Sequence, residues 1–580
     1  MSELKGIYEW QMVRGINMLC PHLEGYSIRG MRKRDYPPAM YKQQPWWDDF
    51  DKWVEAMSRV GMILSKGTKK ADVLLIHPQT TAWTLYDDNK NAGLNELNDK
   101  FLAEIKELEE KHISFHLGDE TIMERHAKIK DGRIIIGKQQ YSCIIMSCCE
   151  ELLPETIKLL EEYKAQGGVI TTASELSDTN VTNEKSLTYT AREFNEFKVH
   201  YFVNTSPAEK TAKINIDGKR IDIYTGELCE FDGFHSFEPW GSLMILEDGT
   251  QNVEHVAAVE TPIYLDGEFE FVKTPLNAIT FDKCDYYFDG ELQEKNGYVL
   301  NICERANALE RPVKIHMDYH IKADYIPEKL ELVCETPEKF DIAINGKNID
   351  ITIIGHFVDK SFKRIDIAKY MEIGENTISF DCDFVQSEKV YESCRNAWKF
   401  ESERNKLNYD IEIETIYIIG EFGVRTDGNW FKLERNAVRY DGEFIIDKPR
   451  KNIVLSNIEQ QGFPFFCGEM TVAGEIEICG TNPVMMLNKK GVNIVEIEID
   501  GVKKTIITDN KISLEYVKEG RHNITLTLKN NLRNLLGPHH HELGECLSVG
   551  PSEFFKEKCV WRQMGDAVWN ETYCFVETGI

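Results

Sequence analysis

The sequence lacks the short motifs that mark several specialised classes of protein. Its 15 cysteines contain no CxxC pair, the spacing on which zinc sites and redox motifs are built. It has no apolar run of roughly 18 residues, which a membrane-spanning helix needs. It also has no P-loop, HExxH pair or G-x-S-x-G elbow. These absences argue against a zinc or redox protein, a transmembrane protein and a P-loop nucleotide-binding protein.

Positive charge is also scarce. Lys and Arg number 68 against 96 Asp and Glu, so the formal net charge is −28. Nucleic acids and anionic lipids are bound by clustered positive charge, so neither a nucleic-acid nor a membrane partner is predicted. Glu3, Lys5, Glu9 and Arg14 interrupt the apolar residues of the N-terminal stretch, so we expect no signal peptide and a cytoplasmic location.

The spacing of apolar residues changes along the chain. Hydrophobic residues make up 42% of it, which is enough for packed cores. Short apolar runs alternate with helical stretches over residues 69–185, which predicts a doubly wound, flavodoxin-like α/β domain. After residue 186 short alternating segments separated by turn residues predict β-sandwiches. Hairpins are expected at Asn345–Gly346 and Asp500–Gly501.

These changes divide the chain into five predicted domains, which makes the fold class multidomain α/β plus all-β. The domains are an N-terminal segment over 1–68, the α/β domain over 69–185, a small β domain over 186–262, a β-sandwich over 263–405 and a jelly roll over 406–580.

Three blocks of sequence, in order, resemble large multidomain glycoside hydrolases of the α-L-rhamnosidase-like type. Block one is NMLCPHLEGYSIRGMRKRDYPPAMYKQQPWW (17–47), followed by ADVLLIHPQTTAWTLYDD; block two is LNAITFDKCDYYFDG (276–290); block three is EQQGFPFFCGEMTVAGEIEI (459–478) together with NNLRNLLGPHHHELGE (530–545). The resemblance implies that 1–68 is the C-terminal remnant of a (β/α) barrel and that 406–580 is galactose-binding-like. It also implies an oligosaccharide or glycoside substrate.

In the resembling enzymes block one lies late in the barrel, whereas here it begins near Met1. A complete barrel needs at least about 200 residues, so we expect an N-terminally truncated or split glycoside hydrolase that lacks its catalytic carboxylates. On its own such a chain is expected to show little or no hydrolysis. The alternatives are a non-catalytic carbohydrate-binding or assembly module, and an enzyme completed by a separate polypeptide that supplies the missing barrel half. No cofactor is predicted, and a structural calcium ion stays an open alternative.

Glycoside hydrolysis needs two carboxyl groups, and Glu24 is the candidate for one of them because it follows the predicted strand GINMLCPH. The alternative is a solvated loop acid. His22 and Tyr26, in block one, are candidates for contacts with sugar hydroxyls and rings, or are partly buried polar side chains. Arg34 and Asp35 are further substrate-binding candidates, with a structural network of ion pairs as the alternative for the whole RGMRKR run.

Trp46 and Trp47 follow Pro45, and one of them is a candidate platform for a pyranose ring; alternatively both hold the loop against the next helix. His539 and His540, in the run His539–His541, are expected in a structural or substrate-facing loop, since consecutive residues seldom converge on one metal ion.

Asp119 and Glu120 follow a predicted strand of the α/β domain, where ligands of such sheets bind. They are candidates for an accessory site, or they face the barrel instead.

Overall fold

The structure is a computed structural model, and it describes residues 1–21, 25–34, 40–87, 91–255, 259–397, 399, 403, 407–540 and 570–580. The chain forms two compact units. Unit 1 comprises Met1–Cys20 and Asp51–Ala258, and unit 2 comprises Pro21–Phe50 and Val259–Ile580. None of the described helices is long and apolar enough to cross a lipid bilayer.

Unit 1 begins with an α/β part in which helices and short strands alternate. Its elements are α1 (Ser2–Met12), α2 (Phe50–Ser65, whose first residue belongs to unit 2), β1 (Val73–Ile76), α3 (Gln79–Leu85), α4 (Ala92–Glu110), β2 (Phe115–Gly118), α5 (Glu120–His126), β3 (Ala127–Lys130), β4 (Arg133–Ile136), β5 (Gln139–Tyr141), β6 (Cys143–Ile145), α6 (Pro154–Ala165) and β7 (Val169–Thr171).

A parallel four-stranded sheet in the order β2-β1-β6-β7 forms the centre of this part. Both its faces are covered, because alternate residues of β1 enter two different apolar clusters. Val73 and Leu75 pack with α4, while Leu74 and Ile76 pack with α6. Burial on both faces explains why β1 is a continuous apolar run in the sequence, and the predicted α/β character of this region is confirmed.

The remainder of unit 1 is made of β-strands. They are β8 (Leu187–Glu193), β9 (Lys198–Asn204), β10 (Lys210–Lys213), β11 (Lys219–Ile221), β12 (Leu228–Cys229), β13 (Phe234–Phe237) and β14 (Ser242–Glu247). Five of them form a sheet in the order β12-β11-β14-β9-β8, and β10 pairs with β13. An apolar cluster that includes Phe202, Phe237 and Leu243 lies between these two sheets.

The barrel remnant predicted over residues 1–68 is not confirmed. Helices α1 and α2 and short 3-10 turns are present, but the residues described in this stretch form no strand. The predicted strand GINMLCPH is not found over residues 15–21 for a physical reason: an apolar run needs a neighbouring strand to bond with, and no described strand lies beside residues 16–20. Met18 is accordingly 83% exposed.

Unit 2 is almost entirely β-structure. Its first elements are β15 (Thr261–Ile263), β16 (Glu268–Phe271), β17 (Asn277–Phe281), β18 (Lys283–Phe288), β19 (Glu291–Tyr298), α7 (Val299–Asn307), β20 (Val313–Ala323), β21 (Leu330–Cys334), β22 (Asp341–Ile344), β23 (Lys347–Asn348), β24 (Ile353–Phe357), β25 (Asp359–Asp366), β26 (Gly374–Phe384) and α8 (Glu388–Ala397).

The later elements of unit 2 complete the sheets that contain these strands and build one more. They are β27 (Ile416–Gly420), β28 (Gly423–Thr426), β29 (Trp430–Lys432), β30 (Ala437–Tyr440), β31 (Phe444–Asp447), β32 (Asn452–Val454), β33 (Glu469–Ile478), β34 (Pro483–Met486), β35 (Ile494–Ile499), β36 (Val502–Ile506), β37 (Lys511–Ser513), β38 (Gly520–Lys529), α9 (Arg533–Leu536) and β39 (Tyr573–Val576).

Two sandwiches result. In the first, the sheet β17-β27-β21-β25-β24 and the sheet built on β19-β18-β20-β26-β22-β23 share one apolar core. In the second, the sheet β32-β16-β33-β38-β35-β36 and the sheet β15-β34-β37 share another. The β-sandwich content predicted from the sequence is therefore confirmed, while the jelly-roll and galactose-binding-like assignments remain predictions.

Strand pairing in unit 2 crosses the positions where the sequence suggested domain boundaries. Strands β15 and β16 pair with β34 and β33 of the second sandwich, more than 200 residues later in the chain. Strands β27, β28 and β31 pair within the first sandwich. The boundaries at 263 and 405 thus separate strands that share a sheet, because alternating strands of similar composition do not identify their partners.

Both predicted hairpins form. Asn345 and Gly346 connect β22 to β23, and Asp500 and Gly501 connect β35 to β36. All four residues have positive φ, between 51° and 81°, as the two-residue turn that matches strand twist requires.

Candidate functional site

The segment 25–34 of block one is held against the first sandwich of unit 2 by buried ion pairs. Arg34 donates from Nη1 and Nη2 to the two carboxylate oxygens of Glu414, at 2.6 Å each. Lys33 Nζ donates to Glu335 Oε1 at 2.5 Å and to Glu414 Oε2 at 2.9 Å. All four side chains are buried. The salt-bridge alternative for the RGMRKR run is therefore what the structure contains.

Gly30 lets the segment approach these carboxylates closely. Its N–H donates to Glu335 Oε2 at 2.8 Å, and its φ is +55°. A Cβ at this position would lie 2.4 Å from Glu412 Oε1. The left-handed backbone conformation therefore favours glycine, and any larger residue here would displace the Glu412 carboxylate. Glu412 also pairs with Arg29, at 3.3 Å.

Asp359, at the start of β25, binds the same segment from another side. Its Oδ1 accepts from Ser27 Oγ at 3.2 Å, and its Oδ2 accepts from the N–H of Ile28 at 3.2 Å and from Gln43 Nε2 at 3.0 Å. Burial alone would raise the pKa of Asp359, but the hydrogen bonds to its ionised form, including those from Ser361, lower it to about 2. Asp359 is thus held as a carboxylate that joins two loops of block one.

The pKa values of two neighbouring glutamates, Glu412 and Glu414, are shifted in opposite directions. Burial would raise the pKa of Glu414, but Arg34 and Lys33 hold it well below its usual range. Burial does raise the pKa of Glu412, and Glu414 and Glu335 raise it further, against the smaller opposing effect of Arg29. An acid–base pair can be built from carboxyls whose pKa values are pushed apart in this way. Here, however, both oxygens of Glu414 are already occupied by cations.

A second buried cluster centres on Asp282, between β17 and β18. Its Oδ2 lies 2.9 Å from His540 Nε2, and its Oδ1 accepts from the Tyr573 hydroxyl at 2.8 Å. His539 Nδ1 lies 3.6 Å from Oδ2. Burial would raise the pKa of Asp282, but the two histidines hold it well below its usual range. Burial lowers the pKa of His539.

His539 and His540 are also bonded to the backbone around them. His539 Nε2 lies 2.8 Å from the carbonyl oxygen of Asn534, and His540 Nδ1 lies 2.9 Å from that of Thr572. Both rings are almost fully buried. This placement is that of a structural loop, the first of the two alternatives raised by the sequence. His541 lies outside the described residues.

The three sequence blocks meet in unit 2. Block two contacts block three where Thr280 Oγ1 donates to the Leu535 carbonyl oxygen at 2.7 Å and where Asp282 meets His540. Ile28 of block one enters the same apolar core as Ala278 and Ile279 of block two. The Leu532 N–H of block three donates to Gln44 Oε1 of block one at 3.4 Å. Segments that lie hundreds of residues apart therefore form one continuous packed region.

Several predicted site residues fall where the structure gives no geometry, since His22, Glu24 and Asp35 lie outside the described residues. Tyr26 is described, and 83% of its surface is exposed. Its carbonyl oxygen accepts from Gln43 Nε2 at 3.2 Å, so the backbone is held while the ring faces solvent. Substrate contact by Tyr26 stays a prediction.

Trp46 and Trp47 both contact Phe50. Trp46 is buried, with its ring centroid 5.1 Å from that of Phe50, and Trp47 stacks on the same ring at 5.7 Å. Trp47 also meets the edge of Tyr41, at 5.1 Å. These contacts favour the loop-holding alternative for both indoles.

Asp119 and Glu120 both make local structural bonds in unit 1. Asp119 Oδ1 accepts from the Ile122 N–H at 2.8 Å, as the N-cap of α5. Glu120 is 2% exposed; it accepts from Thr80 Oγ1 at 2.5 Å and from the Leu153 N–H at 2.7 Å. A role in an accessory site would require these bonds to be exchanged, and it stays a prediction.

Sequence reasoning missed the carboxylates that hold block one: Glu335, Asp359, Glu412 and Glu414. A signal was present in IEIETIYIIG, where Glu412 and Glu414 alternate with apolar residues. Acidic side chains on one face of an apolar segment need cations if they are buried. Asp282 stands in a comparable position after the apolar run of β17.

Comparisons with known proteins find limited similarity. No protein-family model matches the chain, and no curated protein matches it. Solved structures that share some similarity include several glycoside hydrolases. A rhamnosidase from Novosphingobium sp. PP1Y has a TM-score of 0.32 and 13% identity, over 72% of this chain and 46% of that one.

Two further solved structures are less similar. A β-galactosidase from Bacillus circulans sp. alkalophilus has a TM-score of 0.20 and 10% identity, over 33% of this chain and 43% of that one. A β-D-mannosidase from Dictyoglomus thermophilum has a TM-score of 0.16 and 11% identity, over 44% of this chain and 31% of that one. The chain thus spans less than half the length of each of these proteins. TM-scores this low carry no argument about function.

Proposed function

We propose that the chain is a carbohydrate-active protein of the glycoside hydrolase type, resembling the α-L-rhamnosidases. The meeting of the three blocks in unit 2 carries this proposal. Each block alone is a short match, but Thr280, Asp282 and Ile28 join all three into one packed region. Three segments that resemble one family in the same order, and that also pack together in space, are expected to belong to one architecture.

The substrate class proposed is a glycoside or oligosaccharide, contacted from block one. Tyr26 offers an exposed ring and hydroxyl on a backbone held by Gln43, and aromatic rings with a polar tip suit partly apolar, hydroxyl-rich ligands. The ion pairs of Lys33 and Arg34 would keep this segment in place whether or not ligand is bound.

A second function, binding without hydrolysis, is favoured by the state of the buried carboxylates. Hydrolysis needs one carboxyl as acid and another as base or nucleophile. Glu335 and Glu414 accept from Lys33 and Arg34, and Asp282 accepts from Tyr573. Glu412 has a raised pKa, but both carboxylate oxygens of its neighbour Glu414 already accept hydrogen bonds from Arg34. These described carboxylates therefore hold the fold and present no acid–base pair.

One experiment separates the two functions. The full chain is incubated with p-nitrophenyl α-L-rhamnopyranoside and other aryl glycosides, and its migration is measured in gels that contain a rhamnose-bearing plant polysaccharide or dextran. Release of p-nitrophenol indicates an enzyme. Retardation by the rhamnose-bearing polysaccharide alone, without release, indicates a binding protein. If neither is observed, both proposals are wrong.

Tyr26→Ala tests where the ligand binds. This substitution should abolish retardation or turnover without changing thermal stability, because the ring is exposed. Tyr264→Ala is the matched control, since Tyr264 is another exposed tyrosine of unit 2, at 60%. Equal losses in the two variants would remove Tyr26 from the proposed site.

A further inference from the structure

Two cations of unit 1, Lys69 and Arg192, are the neighbours in sequence of two bridged residues. An antiparallel bridge joins Thr68 to Glu193, with N–H to oxygen distances of 2.8 Å and 2.9 Å in the two directions. Lys69 follows Thr68 and Arg192 precedes Glu193, so this bridge brings the two cations into the same part of unit 1. Burial lowers the pKa of Lys69, and the charge of Arg192 helps to lower it, as expected of like charges that lie close together.

No described residue forms an ion pair with Lys69 or Arg192. Arg192 makes no ion pair or hydrogen bond with a described residue, and its Nε is buried without a partner. Lys69 Nζ makes one long contact, 3.5 Å, with the carbonyl oxygen of Phe115. Lone cations of this kind, partly removed from water, are costly unless an anion joins them.

Two nearby carboxylates, those of Glu109 and Glu193, form ion pairs with other cations. Glu109 interacts electrostatically with Lys69, but both its oxygens accept from Arg14, at 2.8 Å and 2.9 Å. Glu193 follows Arg192 in β8, so its side chain points to the opposite face, and it pairs with Lys70. The positive charge of Lys69 and Arg192 therefore remains unbalanced.

His116 of the edge strand β2 adds a third nitrogen group to the cluster. Its Nδ1 lies 3.0 Å from the Tyr141 hydroxyl. Burial lowers the pKa of His116, and Lys69 and Arg192 lower it further. Burial and then Arg192 likewise lower the pKa of Lys69. Lys69 and His116 thus respond to the charge of Arg192, whose own pKa is lowered by burial.

We propose that Lys69, His116 and Arg192 form an oxyanion-binding site on unit 1. The planar guanidinium of Arg192 matches the oxygens of a carboxylate, sulfate or phosphate, and Lys69 adds a compact positive charge. The anion would relieve the repulsion between Lys69 and Arg192 and satisfy the buried Nε of Arg192. It could be an inorganic ion or the acidic group of a sugar; the second source would rest on the carbohydrate function proposed above.

Calorimetric titration of the full chain, in a buffer free of phosphate and sulfate, tests the site. Inorganic phosphate, glucuronic acid and glucose are the three probes. We expect phosphate or glucuronate to bind and glucose to give no heat. Binding of glucuronate but not phosphate identifies an acidic sugar; binding of phosphate but not glucuronate identifies a free ion. A wild-type chain that binds neither overturns the proposal, whatever the outcome with rhamnosides.

Charge-neutral variants locate the anion. Arg192→Gln and Lys69→Gln should each weaken binding by about tenfold or more, since each removes a direct cation. Lys70→Gln is the matched control, because Lys70 is exposed and already paired with Glu193. Should Arg192→Gln fail to fold, Lys69→Gln decides the question. Equal affinity in the wild type and the variants would overturn the proposal.

The same variants have a second readout that a merely structural role would not produce. Without anion, Arg192→Gln should raise the unfolding temperature of the chain, since it removes the repulsion from Lys69. Added anion should raise the unfolding temperature of the wild type by mass action and leave that of Arg192→Gln unchanged. A lowered unfolding temperature of Arg192→Gln without anion would contradict the proposal.

Discussion

The guanidinium of Arg34 and the carboxylate of Glu414 form two parallel hydrogen bonds of 2.6 Å across 380 residues of chain. Both side chains are buried, and Lys33 joins the same carboxylate. The pair attaches block one to the first sandwich. It is therefore a direct target for testing how that segment is held.

Glu414→Gln should lower the free energy of unfolding by about 3–5 kcal/mol, because it leaves Arg34 and Lys33 buried without their shared anion. Urea unfolding of the full chain measures the change. Glu421→Gln is the matched control: Glu421 is exposed and lies 4.0 Å from Lys329, so its loss should cost about 0–1 kcal/mol. Similar costs for the two variants would show that the buried pair contributes no more than a surface pair.

Acid should weaken the attachment of block one. The pKa of Asp359 is about 2 in the folded chain and about 3.9 in an unfolded one, so the unfolded state binds more protons. The stabilisation is therefore complete above about pH 4 and is lost as the pH falls towards 2. Glu414, whose pKa is also lowered, adds to the same loss.

Unfolding free energy measured from pH 5 to pH 2 checks this sign. Asp359→Asn should flatten part of the decline and lower stability near neutral pH. Asp383→Asn, at an exposed position of β26, should leave the profile unchanged. A wild-type profile that is flat over this range, or one that rises towards low pH, would contradict the assignment.

Tyr573→Phe removes one hydroxyl from the Asp282 cluster and keeps the ring. Its loss should cost about 1–3 kcal/mol, because a buried carboxylate oxygen loses its donor. Thermal unfolding of the full chain measures the change. Tyr287→Phe is the control, since the Tyr287 hydroxyl makes no hydrogen bond with any described residue. If both variants are equally stable, the hydroxyl does not support Asp282.

Local features of the fold could be predicted from the sequence. Pro154 and Gly167 predict the limits of α6 because each acts on its own backbone, and the helix runs from Pro154 to Ala165. Asn345–Gly346 predicts a hairpin for the same reason. Strand β1 follows from a continuous apolar run that both layers of helices bury.

Features that depend on distant partners could not be predicted. The residue pattern of β15 predicts a strand but does not indicate that its neighbour in the sheet is β34, which starts at Pro483. From the sequence alone, Arg34 could bind substrate or form ion pairs. Its partner Glu414 is 380 residues away, so only the structure identifies the pair. The run GINMLCPH shows the reverse error, in which an apolar pattern predicts a strand for which the described residues supply no partner.

The order of residues in unit 2 also sets the order in which it can fold during synthesis. Glu414 leaves the ribosome 380 residues after its partner Arg34, and β39 pairs with β30 only after residues 573–576 are made. The last described strand of unit 1 ends at Glu247. Because domains fold as units during synthesis, the N-terminal one first, the strands of unit 1 can pair before Glu414 is made, whereas the attachment of residues 25–34 has to follow it.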